Sequence, residues 1–149
     1  MKKTFVFFIG VLLGLGYIAW RFILISYPDP IVQVNGHKLH VYIARTIQEK
    51  EKGLSGHARL HENQGMLFMF DHADIYSFWM PDMKFPIDII WIRKNIVQEI
   101  TTLGIPEKDT PIPRYTPIEK ADMVLEIDAG LAQKYTIVKG TSITIKNIQ

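Results

Sequence analysis

The sequence predicts a mainly β domain, a compact antiparallel β sandwich or barrel with two short helices, preceded by one N-terminal transmembrane helix. Three observations predict it. Short runs rich in β-branched and aromatic residues recur along the chain with turn residues between them, the pattern of consecutive strands. Helix start and stop signals mark only two short stretches. The first 25 residues differ in kind from the rest, forming one apolar run.

That run explains the start of the chain. Lys2 and Lys3 precede an uncharged stretch over residues 4–20, then come Arg21 and four more apolar residues. A helix over residues 4–25, rising about 1.5 Å per residue, would span about 33 Å, enough for a bilayer, with Arg21 able to snorkel to the head groups. Two lysines and the terminal amine lie on one side and only Arg21 on the other, so the N-terminus is expected in the cytoplasm and the remainder outside. A cleaved signal peptide is the competing reading, but residues 23–30, Ile-Leu-Ile-Ser-Tyr-Pro-Asp-Pro, lack a pair of small residues for cleavage. The expected organisation is an anchor or uncleaved signal over residues 1–26, a stiff linker over 27–30, and one β-rich extracytoplasmic domain over 31–149. The expected location is the cell membrane, single-pass, with the domain in the periplasm or on the cell surface.

Beyond residue 30 the chain carries 14 basic and 14 acidic residues, so its slight basicity belongs to the N-terminal segment. Nothing in a charge-balanced domain suggests a phosphate-tracking surface, and nucleic acid is not an expected partner. No cysteine is present. Thiol catalysis and cysteine metal sites are excluded, and an exported domain must be held by its core alone.

The elements follow in order. Residues 31–34 and 37–43 flank Asn35-Gly36, whose positive φ angles suit a tight hairpin. Thr46-Ile-Gln-Glu49 is a capping box that opens a short helix, and Gly53 can close it. Residues 65–70, 75–80, 87–92 and 96–103 read as strands, the last two joined by the polar Arg93-Lys94-Asn95. Four prolines between Gly104 and Pro117 describe an irregular loop. Residues 123–127 read as a strand, Asp128 as the cap of a helix reaching about Tyr135, and residues 142–146 as a closing strand of alternating polarity.

Five strings in this order, Gly53-Leu-Ser-Gly-His-Ala-Arg-Leu60, Gly65-Met-Leu-Phe68, Phe78-Trp-Met80, Pro86-Ile-Asp-Ile-Ile90 and Val124-Leu-Glu-Ile-Asp-Ala-Gly130, resemble the domain-of-unknown-function 192 family, from about Ile31 to Lys146. The resemblance implies a compact, mainly β fold of sandwich or barrel type, often behind a signal peptide or membrane anchor, and no established activity. Many members of that family carry Arg where this chain has His57, and many carry a cysteine pair in the loop corresponding to residues 105–115. A role resting on that arginine or that disulfide does not transfer to this chain.

Two acids stand out. Asp88 sits inside Pro-Ile-Asp-Ile-Ile-Trp-Ile, where both strand faces look buried, so its charge needs partners or its proton stays on. Backbone amides, Arg45, Arg59 or His57 could supply those partners and make Asp88 a structural acid; alternatively it lines a pocket beside Trp79 or sits at a solvent-facing edge. Glu126 shares a strand face with Val124 and raises the same question. Two nearby carboxylates could serve as acid and base, which makes a hydrolase the rival reading. Met66-Leu-Phe-Met69 and Met80-Pro-Asp-Met83 are chemically suited to Cu(I), but thioethers three apart on a strand point to opposite faces unless the chain turns between them. Phe68, Phe70, Tyr76, Phe78, Trp79, Phe85 and Trp91 crowd one 24-residue span, and most of them must be core. No His-x-x-x-His pair, phosphate loop or Gly-x-Ser-x-Gly elbow is present.

The expectation is a domain that binds a small polar ligand or an envelope component, in a cleft formed by Trp79, Asp88, Glu126, Tyr115 and His57. No metal and no cofactor is assigned, and no catalytic residue. A hydrolase using a carboxylate pair and a structural partner of another envelope protein are the alternatives.

Overall fold

The computed structural model describes residues 29–148 other than 109 and 113. The anchor expected over residues 1–26 lies outside this range, as does most of the linker. Among the described residues no helix is long and apolar enough to cross a membrane.

Seven strands form one sheet that curls into a half-barrel. They are β1 (Ile31–Val34), β2 (His37–Ala44), β3 (Gln64–Asp74), β4 (Ile87–Arg93), β5 (Ile96–Leu103), β6 (Ala121–Asp128) and β7 (Ile143–Lys146). Their spatial order is β5-β4-β6-β3-β2-β1-β7. The two ends of the sheet meet around an isolated Ile96–Ser142 bridge, where Ile143 N donates to Asn95 O (2.9 Å), Val97 N to Thr141 O (2.9 Å) and Gly140 N to Val97 O (2.8 Å).

The Asn35-Gly36 turn has φ of 46° and 82°, the primed geometry the sequence predicts. The capping box is present too. In α1 (Ile47–Lys52), Thr46 Oγ1 accepts from Glu49 N, and Glu49 Oε2 accepts from Thr46 N. Gly53 N–H then closes the helix on Glu49 O at 2.9 Å.

Three expectations need correction. The sheet is mixed rather than antiparallel, because β2 and β3 run parallel, with Val41 opposite Gly65 and Ile43 opposite Leu67. Parallel neighbours require a crossover. The segment carrying α1 is that crossover, although its sequence reads only as a short capped helix. Residues 75–80 do not form a strand. Phe78 exchanges backbone hydrogen bonds with Tyr115 alone (2.8 and 2.7 Å), and the partner loop contains Pro111 and Pro117, which have no N–H to extend a ladder. Asp128 does not cap the second helix, α2 (Leu131–Lys134). Its N-cap is Gly130 at φ 88°, with no side-chain cap of its own.

The sheet buries both faces. Inside the curl, Leu39, Leu67, Ile90, Leu125 and Ile127 pack with Leu131, Ala132 and Tyr135 of the α2 segment. Outside it, Phe68, Ile87, Ile89, Trp91 and Val124 are covered by Leu54 and Leu60 of the crossover and by Met80, Met83 and Phe85 of the β3–β4 connection. This explains why residues 87–92 are all buried and show no alternating polarity.

Gly65 marks the tightest backbone approach. A Cβ there would stand 2.8 Å from the Glu126 carbonyl oxygen and 3.0 Å from Ile127 Cγ2. Because the first of these is backbone, Gly65→Ala is expected to push β6 away from β3 at a cost of about 1–3 kcal/mol. A urea unfolding curve that overlays wild type would show that the strands can part freely.

Candidate functional site

Strand register decides where the two acids go. On β4 and β6, Glu126 lies opposite Ile89 while Asp88 lies opposite Ile127. Directly paired residues share a face and their neighbours take the other, so Glu126 points to the outer layer and Asp88 into the curl. The carboxylates cannot flank one ligand. The arrangement that a paired-acid hydrolase requires is absent.

Asp88 is 1 % exposed and fully engaged. Its Oδ1 accepts from Thr102 Oγ1 (2.6 Å), and its Oδ2 accepts from Gly130 N and Ala132 N (2.9 Å each). A strand carboxylate thus caps the helix α2 from the neighbouring element, supplying the acceptor that Gly130 lacks. Backbone amides and a hydroxyl, rather than Arg45, Arg59 or His57, are its partners. A wide trough of about 910 Å³ opens beside it, between β5 and the α2 segment. With three of about four acceptor sites taken, Asp88 has little left to offer a ligand there.

Glu126 is the opposite case. It is 5 % exposed, and among the described residues its carboxyl makes no hydrogen bond to protein. No fully sealed side-chain oxygen or nitrogen among those residues lacks a partner, so the Glu126 oxygens must be reached by solvent. The opening is a cleft of about 210 Å³ bounded by α1, the turn after it and the β3–β4 connection. Phe68, Phe70, Phe78, Trp79, Met80 and Met83 supply its walls, and among the described residues lining it Glu126 is the one buried ionisable group. Burial without a counter-charge pushes the Glu126 carboxyl up to about 8, so it holds its proton at neutral pH.

The walls are set by interlocked rings. Phe78 meets Phe68 edge-on at 5.0 Å and Trp91 edge-on at 6.3 Å, while Phe70 stacks on Tyr76 at 3.6 Å. Trp91 Nε1–H donates to Tyr76 O at 3.3 Å, tying this layer to β4. The rim is latched as well. Ser55 Oγ donates to Pro81 O (2.7 Å) and Gly56 N to Asp82 O (3.3 Å), joining the end of the crossover to the turn after Met80. Asp82 takes φ 53° in that turn, which lets Met80 and Met83 face the same cleft.

Of the five residues expected to form a cleft, the fold brings Trp79 and Glu126 together. Trp79 is 37 % exposed at the cleft edge, with the Arg114 guanidinium 3.8 Å over its ring. Tyr115 is half-buried beside Phe78 and borders a separate hollow against Met80. His57 stands outside the cleft, tilted against Tyr42 at 6.3 Å. Asp88 is on the far side of the sheet. Sequence reading did not foresee the part played by Leu54, Ser55 and Lys50. The capping box locates the helix that carries Lys50 and precedes Leu54 and Ser55, but only the crossover lays this segment over the face.

Comparison with solved structures returns the same fold. A Novosphingobium aromaticivorans protein of unknown function superposes with a TM-score of 0.68 at 29 % identity, over 77 % of this chain and 82 % of its own. A Sinorhizobium meliloti protein that carries a provisional label as a transcription regulator superposes with a TM-score of 0.72 at 23 % identity, over 83 % of this chain and 98 % of its own. No curated protein matches. The family model described as "Uncharacterized ACR, COG1430" matches residues 30–145, and the chain therefore belongs to the DUF192 family.

Proposed function

We propose that this chain is a membrane-anchored, extracytoplasmic binding module that holds a small ligand in the cleft above Glu126. The observation that carries the reading is a carboxyl group 5 % exposed, without a hydrogen-bond partner among the described residues, at the floor of an aromatic cleft. Among the described residues nothing but solvent pairs this carboxyl, and a ligand that reproduces those hydrogen bonds can displace the water. The volume of about 210 Å³ lies below the roughly 300–1,000 Å³ of drug-sized sites, which favours a small molecule. The apolar run over residues 4–25 and the lysines before it support the anchor and its orientation. The even balance of charge beyond residue 30 argues against DNA as a partner, so the regulator label of the Sinorhizobium protein is not carried across.

Methyl NMR tests the cleft with benzyl alcohol as probe. The Met80 and Met83 methyl signals are expected to move on titration, while Met69 and Met123, which pack on the other face of the sheet, stay in place. Trp79→Ala is expected to weaken the probe about tenfold, the loss of one good aromatic contact. Shifts of equal size at all four methionines, or none at Met80 and Met83, would overturn the reading.

A further inference from the structure

We infer that the occupant of the cleft is an organic ammonium group, its cation set against the Glu126 carboxylate and its alkyl surface against the aromatic walls. This deepens the reading of the cleft as a binding site and rests on it.

The walls restrict what can pair Glu126. The inner ones are mostly aromatic rings and thioethers, and although Lys50, Lys52, Ser55, Ser77 and Tyr76 also border the cleft, none of the described residues places a hydrogen bond or counter-charge on the carboxyl. Strand β3 offers Met66 and Phe68 to this face, and β4 offers Ile87 and Ile89. Among the described residues the ionisable groups facing the cleft are Tyr76 in the β3–β4 connection, Lys50, Glu51 and Lys52 of α1 at the rim, and Arg114 over the outer Trp79 ring. A buried carboxylate that the protein leaves without a cation is complementary to a cation brought by a ligand.

The rings point the same way. A positive charge is attracted to the face of Trp, Tyr or Phe, and aromatic cages recognise quaternary ammonium groups by this means. Cations of the protein already use this property at the rim. Lys50 Nζ lies 4.7 Å over Phe70 and the Arg114 guanidinium 3.8 Å over Trp79. Phe68 and Phe78, deeper in, carry no such partner among the described residues. Lys52 is exposed and Lys50 is half-buried over Phe70 at the rim, where physiological salt screens them, so they oppose an incoming cation weakly.

Uptake of an ammonium group requires Glu126 to give up its proton. With the carboxyl titrating at about 8, about 1 % is ionised at pH 6 and about 90 % at pH 9, so affinity is expected to rise about 90-fold across that range. A neutral ligand of the same shape gains nothing from the rise.

Choline and its uncharged isostere 3,3-dimethylbutan-1-ol are the probes. Each is titrated into the full-length protein in non-ionic detergent, at about physiological salt, and followed by the Met80 and Met83 methyl signals. The expected result is tighter binding of choline than of the alcohol at pH 9, a steep loss of choline binding by pH 6, and a pH-independent alcohol. Glu126→Gln is expected to cost choline at least tenfold at pH 9 and to spare the alcohol. Phe78→Leu provides a second variant that leaves the carboxyl in place and should weaken choline more than the alcohol. Equal affinity of the two probes, or a Glu126→Gln protein that binds choline as well as wild type, overturns the ammonium inference while leaving the cleft reading intact. Absence of both probes also overturns it, and the benzyl alcohol titration then judges the cleft separately.

Discussion

Replacing Asp88 with alanine is expected to lower the unfolding free energy by about 3–5 kcal/mol, a large share of the roughly 5–15 kcal/mol that holds a domain together. The change removes three hydrogen bonds to one carboxylate and leaves Gly130 N, Ala132 N and Thr102 Oγ1 without their acceptor. Each orphaned donor costs about 1–3 kcal/mol, partly relieved where water enters from the trough beside α2. Asp88→Asn separates charge from connectivity. Its carbonyl oxygen can take both amides and its amide group can face Thr102, so about half of the loss is expected. Urea unfolding followed by tryptophan fluorescence measures both variants. A midpoint for Asp88→Ala within about 1 kcal/mol of wild type would mean that the α2 segment does not depend on this cap.

Glu126→Gln is expected to act in the opposite direction. The folded carboxyl titrates at about 8, against the ordinary 4.5 of an exposed glutamate, so between those limits the native state holds a proton that the unfolded chain has released. Stability of the wild type therefore falls as pH rises from about 4.5 to about 8 and levels off on either side. At about 1.4 kcal/mol per pH unit the total is on the order of 4–5 kcal/mol. Glutamine has no proton to lose and keeps a similar shape. The variant is expected to match wild type near pH 4, to exceed it by several kcal/mol at pH 9, and to show a flatter profile between. Parallel pH profiles for the two proteins would show that Glu126 is ionised in the native state. Such a gain would also fit a residue retained for binding at the expense of stability.

The sequence was most legible where one local rule decides the outcome. Asn35-Gly36 gives its hairpin and Thr46 to Glu49 its capping box, because turn and cap preferences act over four residues or fewer. Strand β3, by contrast, runs to Asp74 with a register shift after Met69, while residues 75–80 lie outside the sheet. Both segments carry strand-like composition. What separates them is access to a partner with free N–H and C=O groups, which composition does not encode.

The candidate site divides along the same line. The aromatic crowding between Phe68 and Trp91 and the unusual acids Asp88 and Glu126 are visible in the chain itself. Alternation along each strand also predicts which residues share a face with each acid. It does not relate one strand to another. That depends on the β4–β6 register, which sets Ile89 against Glu126 and so sends the two acids to opposite sides. The turn at Asp82 likewise decides that Met80 and Met83 converge, since on a straight strand they would point apart.

By itself the sequence determined the mainly β class, the hairpin, the first helix, the two acids that need explanation, and membership signs spread across the chain. Only the tertiary structure decided that β2 and β3 are parallel, that Asp88 is a cap for a helix 42 residues away, and that Glu126 is left unpaired in an aromatic cleft. The reason is physical: the local preferences follow from bonded geometry over a few residues. The burial and pairing of a carboxylate depend on which distant segments the folded sheet brings against it.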